Sequence, residues 1–200
     1  SLAQLDRAMA SARSAFRSWA KRSPFERAEL LHRIGVLLRD QSDSIARTMT
    51  AEQGKPLNEA KGEISKLADT FRFYGEEAVR VHGEIIPNPT TDHQSFVVRE
   101  PIGVVAAISP WNYPAELIGW KLAAALAAGC TIVIKPPELT PFTGLEIARC
   151  CAEAGVPDGV VNVVLGRGSE IGQAMVEHPE PDKIAFTGSS AVGLHILNSL

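Results

Sequence analysis

From residue 103 onward the chain repeats one pattern: a short apolar run, a tight turn rich in Gly, Pro or Ser, then a stretch of helical period. The apolar runs are Gly103–Ile108, Thr131–Lys135, Val160–Leu165 and Ile184–Thr187. Strands buried on both faces read as continuous apolar runs, and strands that alternate with helices lie parallel because each helix carries the chain back. The first unit is the most informative. Ile108-Ser109-Pro110-Trp111-Asn112-Tyr113-Pro114 stands between its strand and a small-residue helix, Leu117 to Ala128. That turn falls at the carboxyl end of a parallel strand, where open α/β sheets place their ligands. Gly129 stops that helix and Gly155 the one after it, Gly166–Gly172 turns into a short helix that ends before Pro179, and Gly188-Ser189-Ser190 opens the last one.

The preceding hundred residues are mainly helical. Leu5, Ala8, Met9, Ala12, Phe16 and Trp19 recur at helical spacing over 3–20. Ser23-Pro24-Phe25-Glu26 has the form of a capping box with proline at the first helical position, and Leu30, Leu31, Ile34 and Leu38 follow as a buried stripe. A third helix over roughly 42–52 should stop at Gly54, and a fourth carries Ala60, Ile64, Leu67, Ala68, Phe71, Tyr74 and Ala78 before Gly83. Thr140-Pro141 should cap the helix after the second strand. Residues 84–102 change character: a turn-rich extended segment and a strand-like run, Ser95–Glu100, fit an edge hairpin or an arm toward another subunit. The expected division is 1–83 helical, 84–102 extended, and 103–200 a Rossmann-type set of βα units.

Composition narrows the function classes. A net charge of −3 with no clustered basic run argues against a nucleic-acid partner. The longest apolar stretch, Leu117–Gly129, is too short for a bilayer and is interrupted by Lys121. No signal peptide is visible at the start, and three cysteines without CxxC spacing fit a reducing, cytoplasmic setting. Cys130 begins a buried strand, and Cys150 and Cys151 lie late in a helix, where its dipole does not favour a thiolate. None reads as a nucleophile, and the five histidines lack metal-ligand spacing.

Several turns offer chemistry. Gly166-Arg167-Gly168-Ser169-Glu170-Ile171-Gly172 is one residue longer than the dinucleotide fingerprint, and it serves either a cofactor or only its own backbone angles. Phe186-Thr187-Gly188-Ser189-Ser190-Ala191-Val192-Gly193 places backbone N–H groups and a hydroxyl at a helix start, a ready anion site. In Lys135-Pro136-Pro137-Glu138 an acid follows the second strand, as in folds that hold a ribose hydroxyl, although spacing alone favours a surface ion pair. Asn112, fixed between two prolines, suits oxyanion stabilisation; an Asx turn is the simpler reading.

Read together, Glu52-Gln53-Gly54-Lys55-Pro56, Pro110-Trp111-Asn112, Ala127-Ala128-Gly129-Cys130-Thr131, Lys135-Pro136 with Thr140-Pro141, Ala154-Gly155-Val156-Pro157-Asp158-Gly159-Val160 and Phe186-Thr187-Gly188-Ser189 resemble the NAD(P)-dependent aldehyde dehydrogenase superfamily, in family order and over essentially the whole chain. The resemblance implies a catalytic role for Asn112 as oxyanion donor, and a cofactor cleft lined by Ile108, Ser109, Pro110 and Trp111. It further implies that Lys135 and Glu138 hold the adenine ribose, that Gly168 and Gly172 lie near the adenosine, and that Phe186, Gly188, Ser189 and Val192 form the pyrophosphate turn. NAD is the expected cofactor, with NADP the alternative, since Glu138 would repel a 2′-phosphate.

Also implied are a small aldehyde substrate, no membrane or nucleic-acid partner, and a homodimer or homotetramer built through the 84–101 arm. Phe71–Ala78 and His82-Gly83-Glu84 resemble the succinate-semialdehyde branch. In such enzymes a cysteine thiolate attacks the aldehyde, hydride passes to the nicotinamide, and a glutamate activates water on the thioester. Both residues are expected beyond the Gly188-Ser189 turn, outside these 200 residues. The chain is thus expected to be the N-terminal part of a longer one, unable to react or fold stably alone. A nucleotide-binding fragment without catalysis, or a CoA-acylating relative, are the competing expectations.

Overall fold

The computed structural model describes residues 1–199. The chain opens with four helices, α1 (Leu2–Ala20), α2 (Pro24–Asp40), α3 (Ser42–Gln53) and α4 (Leu57–Ala78). α1 buries Leu5, Met9, Ala12 and Trp19, the stripe that its spacing predicts. At α2 the capping box forms as the sequence indicates: the Ser23 hydroxyl accepts from Phe25 N–H, and the Glu26 carboxylate accepts from Ser23 N–H. α3 ends at Gly54, whose φ of 84° lies in the left-handed region that glycine enters without steric cost. A two-stranded antiparallel hairpin follows, β1 (Glu84–Ile86) and β2 (Ser95–Val97), and it exposes Ile85, Ile86 and Phe96.

The second half is a four-stranded parallel sheet. Its strands are β3 (Val104–Ile108), β4 (Thr131–Lys135), β5 (Val161–Val163) and β6 (Lys183–Phe186), joined through α5 (Glu116–Ala127), α6 (Pro141–Glu153) and α7 (Gln173–Glu177), with α8 (Ser190–Ser199) after β6. A single wide helical turn, Gly168–Gly172, leads into α7. β5 is shorter than its apolar run because Val160 N–H turns back to the Pro157 carbonyl, although Val164 still donates to Ile134. Side chains alternate across the sheet and divide between two cores. Val105, Ala107, Ile132 and Ile134 pack with α2, α4, α5 and α6; Val104, Ala106 and Val133 pack with Leu5, Met9 and Ala12 of α1 and Met175 of α7. Covering both faces is what lets β3 be apolar throughout and β4 apolar over residues 132–134.

Strand order is β5-β4-β3-β6. The chain moves outward from β3 to one side through β4 and β5, then crosses to the other side for β6. A topological switch point therefore opens at the carboxyl end of β3, where the connections diverge and leave a crevice. Ile108 pairs in register with Lys135 on one side and with Phe186 on the other, so three strands end on one level. Among the described residues no helix is long and apolar enough to cross a membrane, and no group of three or more His, Cys, Asp and Glu could hold a metal ion.

Candidate functional site

The row Ile108–Lys135–Phe186 is the floor of a crevice of about 480 Å³. Ile108, Ser109, Pro110 and Trp111 line one side, Lys135, Glu138 and Gly168 a second, and Phe186, Gly188, Ser189 and Val192 the third. Gly172 lies in an adjoining apolar cleft of about 590 Å³ that shares Ile108, Gly168, Phe186 and Val192 and adds His195. Twelve residues singled out from sequence thus meet at two connected clefts. Asn112 does not line either; it is exposed, one residue beyond the wall at Trp111.

Backbone contacts shape the crevice. Glu138 accepts from Gly168 N–H at 2.6 Å, which ties the loop after β4 to the glycine turn and leaves the other carboxylate oxygen to the opening. Lys135 is buried, and its ammonium donates to the Pro136 carbonyl at 3.2 Å. Burial lowers its pKa, and the nearby Glu138 charge opposes that shift. The surface ion pair favoured by spacing is therefore replaced by two separate backbone contacts, and the ammonium keeps two N–H donors.

Ser109 Oγ is buried and has no hydrogen-bond partner among the described residues, a state that costs about 1–3 kcal/mol until a ligand or water satisfies it. At the third wall, a Cβ on Gly188 would run into the Phe186 ring, so glycine lets this turn lie against the floor without displacing that ring. Ser189 Oγ accepts from Val192 N–H at 3.4 Å at the start of α8, where free amides and the helix dipole favour an anion. The orphaned hydroxyl, the glycine-lined turn and the free carboxylate oxygen suit a dinucleotide with its hydroxyls and phosphates.

Two features have roles that the sequence reading did not assign. Lys121, noted there only as a break in an apolar run, donates to Thr187 Oγ1 at 2.7 Å and to the Leu117 carbonyl at 3.0 Å. Burial without a carboxylate lowers its pKa to about 8. A lone lysine in an otherwise apolar helix was the available signal.

The second feature is the Glu52–Pro56 turn, together with Glu63. Glu52 accepts from Phe142 N–H at 2.7 Å and Thr143 N–H at 2.9 Å, capping α6. Thr140, expected to be that cap, makes no side-chain cap bond, and its hydroxyl is buried without a partner among the described residues; a carboxylate from α3 reaches the free amides instead. Gln53 Nε2 donates to the carbonyls of Trp111 (3.0 Å) and Asn112 (2.8 Å). Lys55 Nζ donates to the Asn112 carbonyl at 3.2 Å, pairs with Glu63, and sits 4.0 Å from the centre of the Tyr113 ring. Glu63 is buried and accepts from Ala115 N–H at 2.8 Å and Glu116 N–H at 3.1 Å, which caps α5. Among the described residues the bonds at Asn112 go to its backbone carbonyl, so the simpler Asx-turn reading does not apply. Cys130, Cys150 and Cys151 are all buried and free; burial pushes the Cys150 thiol up to about 11 and Cys151 higher still.

A sequence model of the aldehyde dehydrogenase family matches residues 1–200. A mitochondrial succinate-semialdehyde dehydrogenase of Arabidopsis thaliana is 46% identical over 190 residues, covering 95% of this chain and 36% of its own length. A crystal structure of an aldehyde dehydrogenase from Brucella melitensis biovar abortus 2308 superposes with a TM-score of 0.97 at 41% identity, covering 100% of this chain and 41% of that one. A betaine aldehyde dehydrogenase from Staphylococcus aureus, solved in complex with NAD+, gives 0.94 at 37% identity, covering 97% and 39%. The chain spans between a third and a half of the length of these relatives. A parallel sheet with its crevice at the switch point, and a family match from end to end, establish that this chain belongs to the aldehyde dehydrogenase family.

Proposed function

We propose that the complete protein oxidises an aldehyde to its carboxylic acid with NAD+, and that this chain supplies the cofactor crevice and one oxyanion donor. The observation that carries the reading is the convergence of Lys135, Glu138, Ser109 and the Gly188-Ser189 turn on one crevice, in a chain of this family. Glu138 accepts from a ribose hydroxyl through its free oxygen, and Lys135 adds a donor beside it. The start of α8, with Gly188 and Ser189, holds the pyrophosphate, while Gly168, Gly172 and Val192 pack the adenosine end. When bound, the nicotinamide accepts the hydride. Asn112 donates its carboxamide N–H to the oxygen on which negative charge grows, stabilising that charge without reorganisation.

Glu138 also sets the cofactor, because its carboxylate repels a 2′-phosphate and so favours NAD over NADP. None of the three cysteines lines the crevice, and burial keeps Cys150 and Cys151 protonated, so the nucleophile and general base come from the part of the relatives' length that this chain does not span. Succinate semialdehyde is the first substrate to try, because the Arabidopsis relative is named for it. The exposed apolar hairpin, with Ile85, Ile86 and Phe96, serves a homo-oligomeric contact, and buried free thiols suit a reducing, cytoplasmic compartment.

The test is an assay of the complete purified protein with a panel of aldehydes. Aldehyde-dependent reduction of NAD+, faster than that of NADP+ and yielding the free acid, is the expected result. No reduction of either cofactor with any member of the panel would refute the reading, and a preference for NADP+ would refute the role of Glu138.

A further inference from the structure

The loop that carries Asn112 is held by side chains that neither the sheet nor the crevice requires. Its residues Trp111, Asn112 and Tyr113 are all exposed, so the core does not fix them. Instead Gln53 and Lys55, on either side of the left-handed Gly54, face the loop together. One amide nitrogen of Gln53 donates to the carbonyls of both Trp111 and Asn112. These carbonyls belong to the two peptide planes that flank the Asn112 Cα. Fixing both planes fixes φ and ψ of Asn112, and with them the direction of its Cα–Cβ bond. Lys55 adds a charged donor to the second carbonyl. Its own charge is matched by buried Glu63, which caps the helix that the loop enters, so the middle of the loop and its helix end are anchored through one ion pair.

We propose that Gln53 and Lys55 are positioning residues that hold the Asn112 carboxamide in its donating orientation. The proposal rests on Asn112 being the oxyanion donor. An oxyanion site works only where its donors are already aimed, and a small displacement removes much of the effect. Gln53 touches neither reacting atom; it acts through the loop.

The experiment is a double-mutant cycle in the complete protein, read as the single-turnover rate of NAD+ reduction with saturating succinate semialdehyde, with KM values and thermal melts measured alongside. Gln53→Met keeps the length of the side chain and removes its N–H donors. We expect it to slow the step about tenfold, a fraction of the loss from deleting the donor itself, with KM for both substrates and the melting temperature unchanged. In an Asn112→Ala background the same substitution should add nothing. Lys55→Met should cause the same loss of rate, absent in the Asn112→Ala background, together with a lower melting temperature because it strands the buried Glu63 charge. Lys55→Arg, which keeps the charge, should restore most of the rate and the stability. A wild-type rate in Gln53→Met, or an equal loss in both backgrounds, would overturn the proposal. Asn112→Ala alone retaining the wild-type rate would instead overturn the oxyanion reading, and the proposal with it.

Discussion

Lys121 shows how burial turns an ordinary side chain into one that titrates within reach of working pH. In the fold its amine gives up a proton near pH 8, against an ordinary value of 10.5. Between these values the unfolded chain binds more protons than the folded one, so this residue makes stability rise with pH, by at most about 1.4 kcal/mol per unit. Cys150 has the opposite sign: its thiol is held protonated to about 11 against 9.0, so stability falls across that window. The two windows overlap only above pH 9. Unfolding midpoints in denaturant for wild type and Lys121→Met at pH 7, 8 and 9 separate them. Wild type should gain on the variant from pH 8 to 9; parallel curves would show that the amine is not desolvated. Lys121 and Ser109 were present in the sequence, but their states depend on Thr187 and on the enclosing walls, which no spacing rule supplies. That Glu138 and the Gly188 turn lie beside the crevice was legible because each follows a strand end. Spacing alone favoured an ion pair at Glu138 and an Asx turn at Asn112, and only the family resemblance pointed past those readings.

The elements themselves were readable because period 2 and period 3.6 are local properties, and Gly54, Gly129 and Gly155 mark their ends. What holds the elements to one another was less readable. Glu52 caps α6 from 90 residues away, and Glu63 caps α5 from 52 away. Only one signal was available for Glu63: a carboxylate on the same stripe as Ala60, Ile64 and Leu67, where burial demands a partner. Glu63→Ala should be costly, about 3–5 kcal/mol, since it leaves the Lys55 charge uncompensated and frees two amides of α5. Glu52→Ala should cost about 1–2 kcal/mol as the loss of a cap. Denaturant unfolding of the complete protein measures both, and equal small effects would contradict the difference in burial on which these figures rest. Thr140→Val should be neutral or mildly stabilising, because its hydroxyl has no partner among the described residues.

At the scale of the whole molecule, helices cover both faces of the sheet, the hairpin stands apart, and one crevice opens where strand order reverses. Periodicity revealed the layers, whereas the order β5-β4-β3-β6 follows from packing between distant residues and was not readable from spacing. The hairpin exposes Ile85, Ile86 and Phe96, an apolar surface that a solvated edge strand does not need. Replacing Ile85 and Phe96 with Asp should lower the mass of the native assembly, as measured by light scattering; an unchanged mass would remove the arm from the interface. We propose that a dinucleotide lies across the carboxyl ends of β4, β3 and β6. A crystal structure of the complete protein with NAD+ tests it most directly. The ribose should lie at Glu138, the pyrophosphate at Gly188 and Ser189, and the nicotinamide end toward Asn112; a cofactor bound elsewhere, with this crevice empty, would rule that placement out.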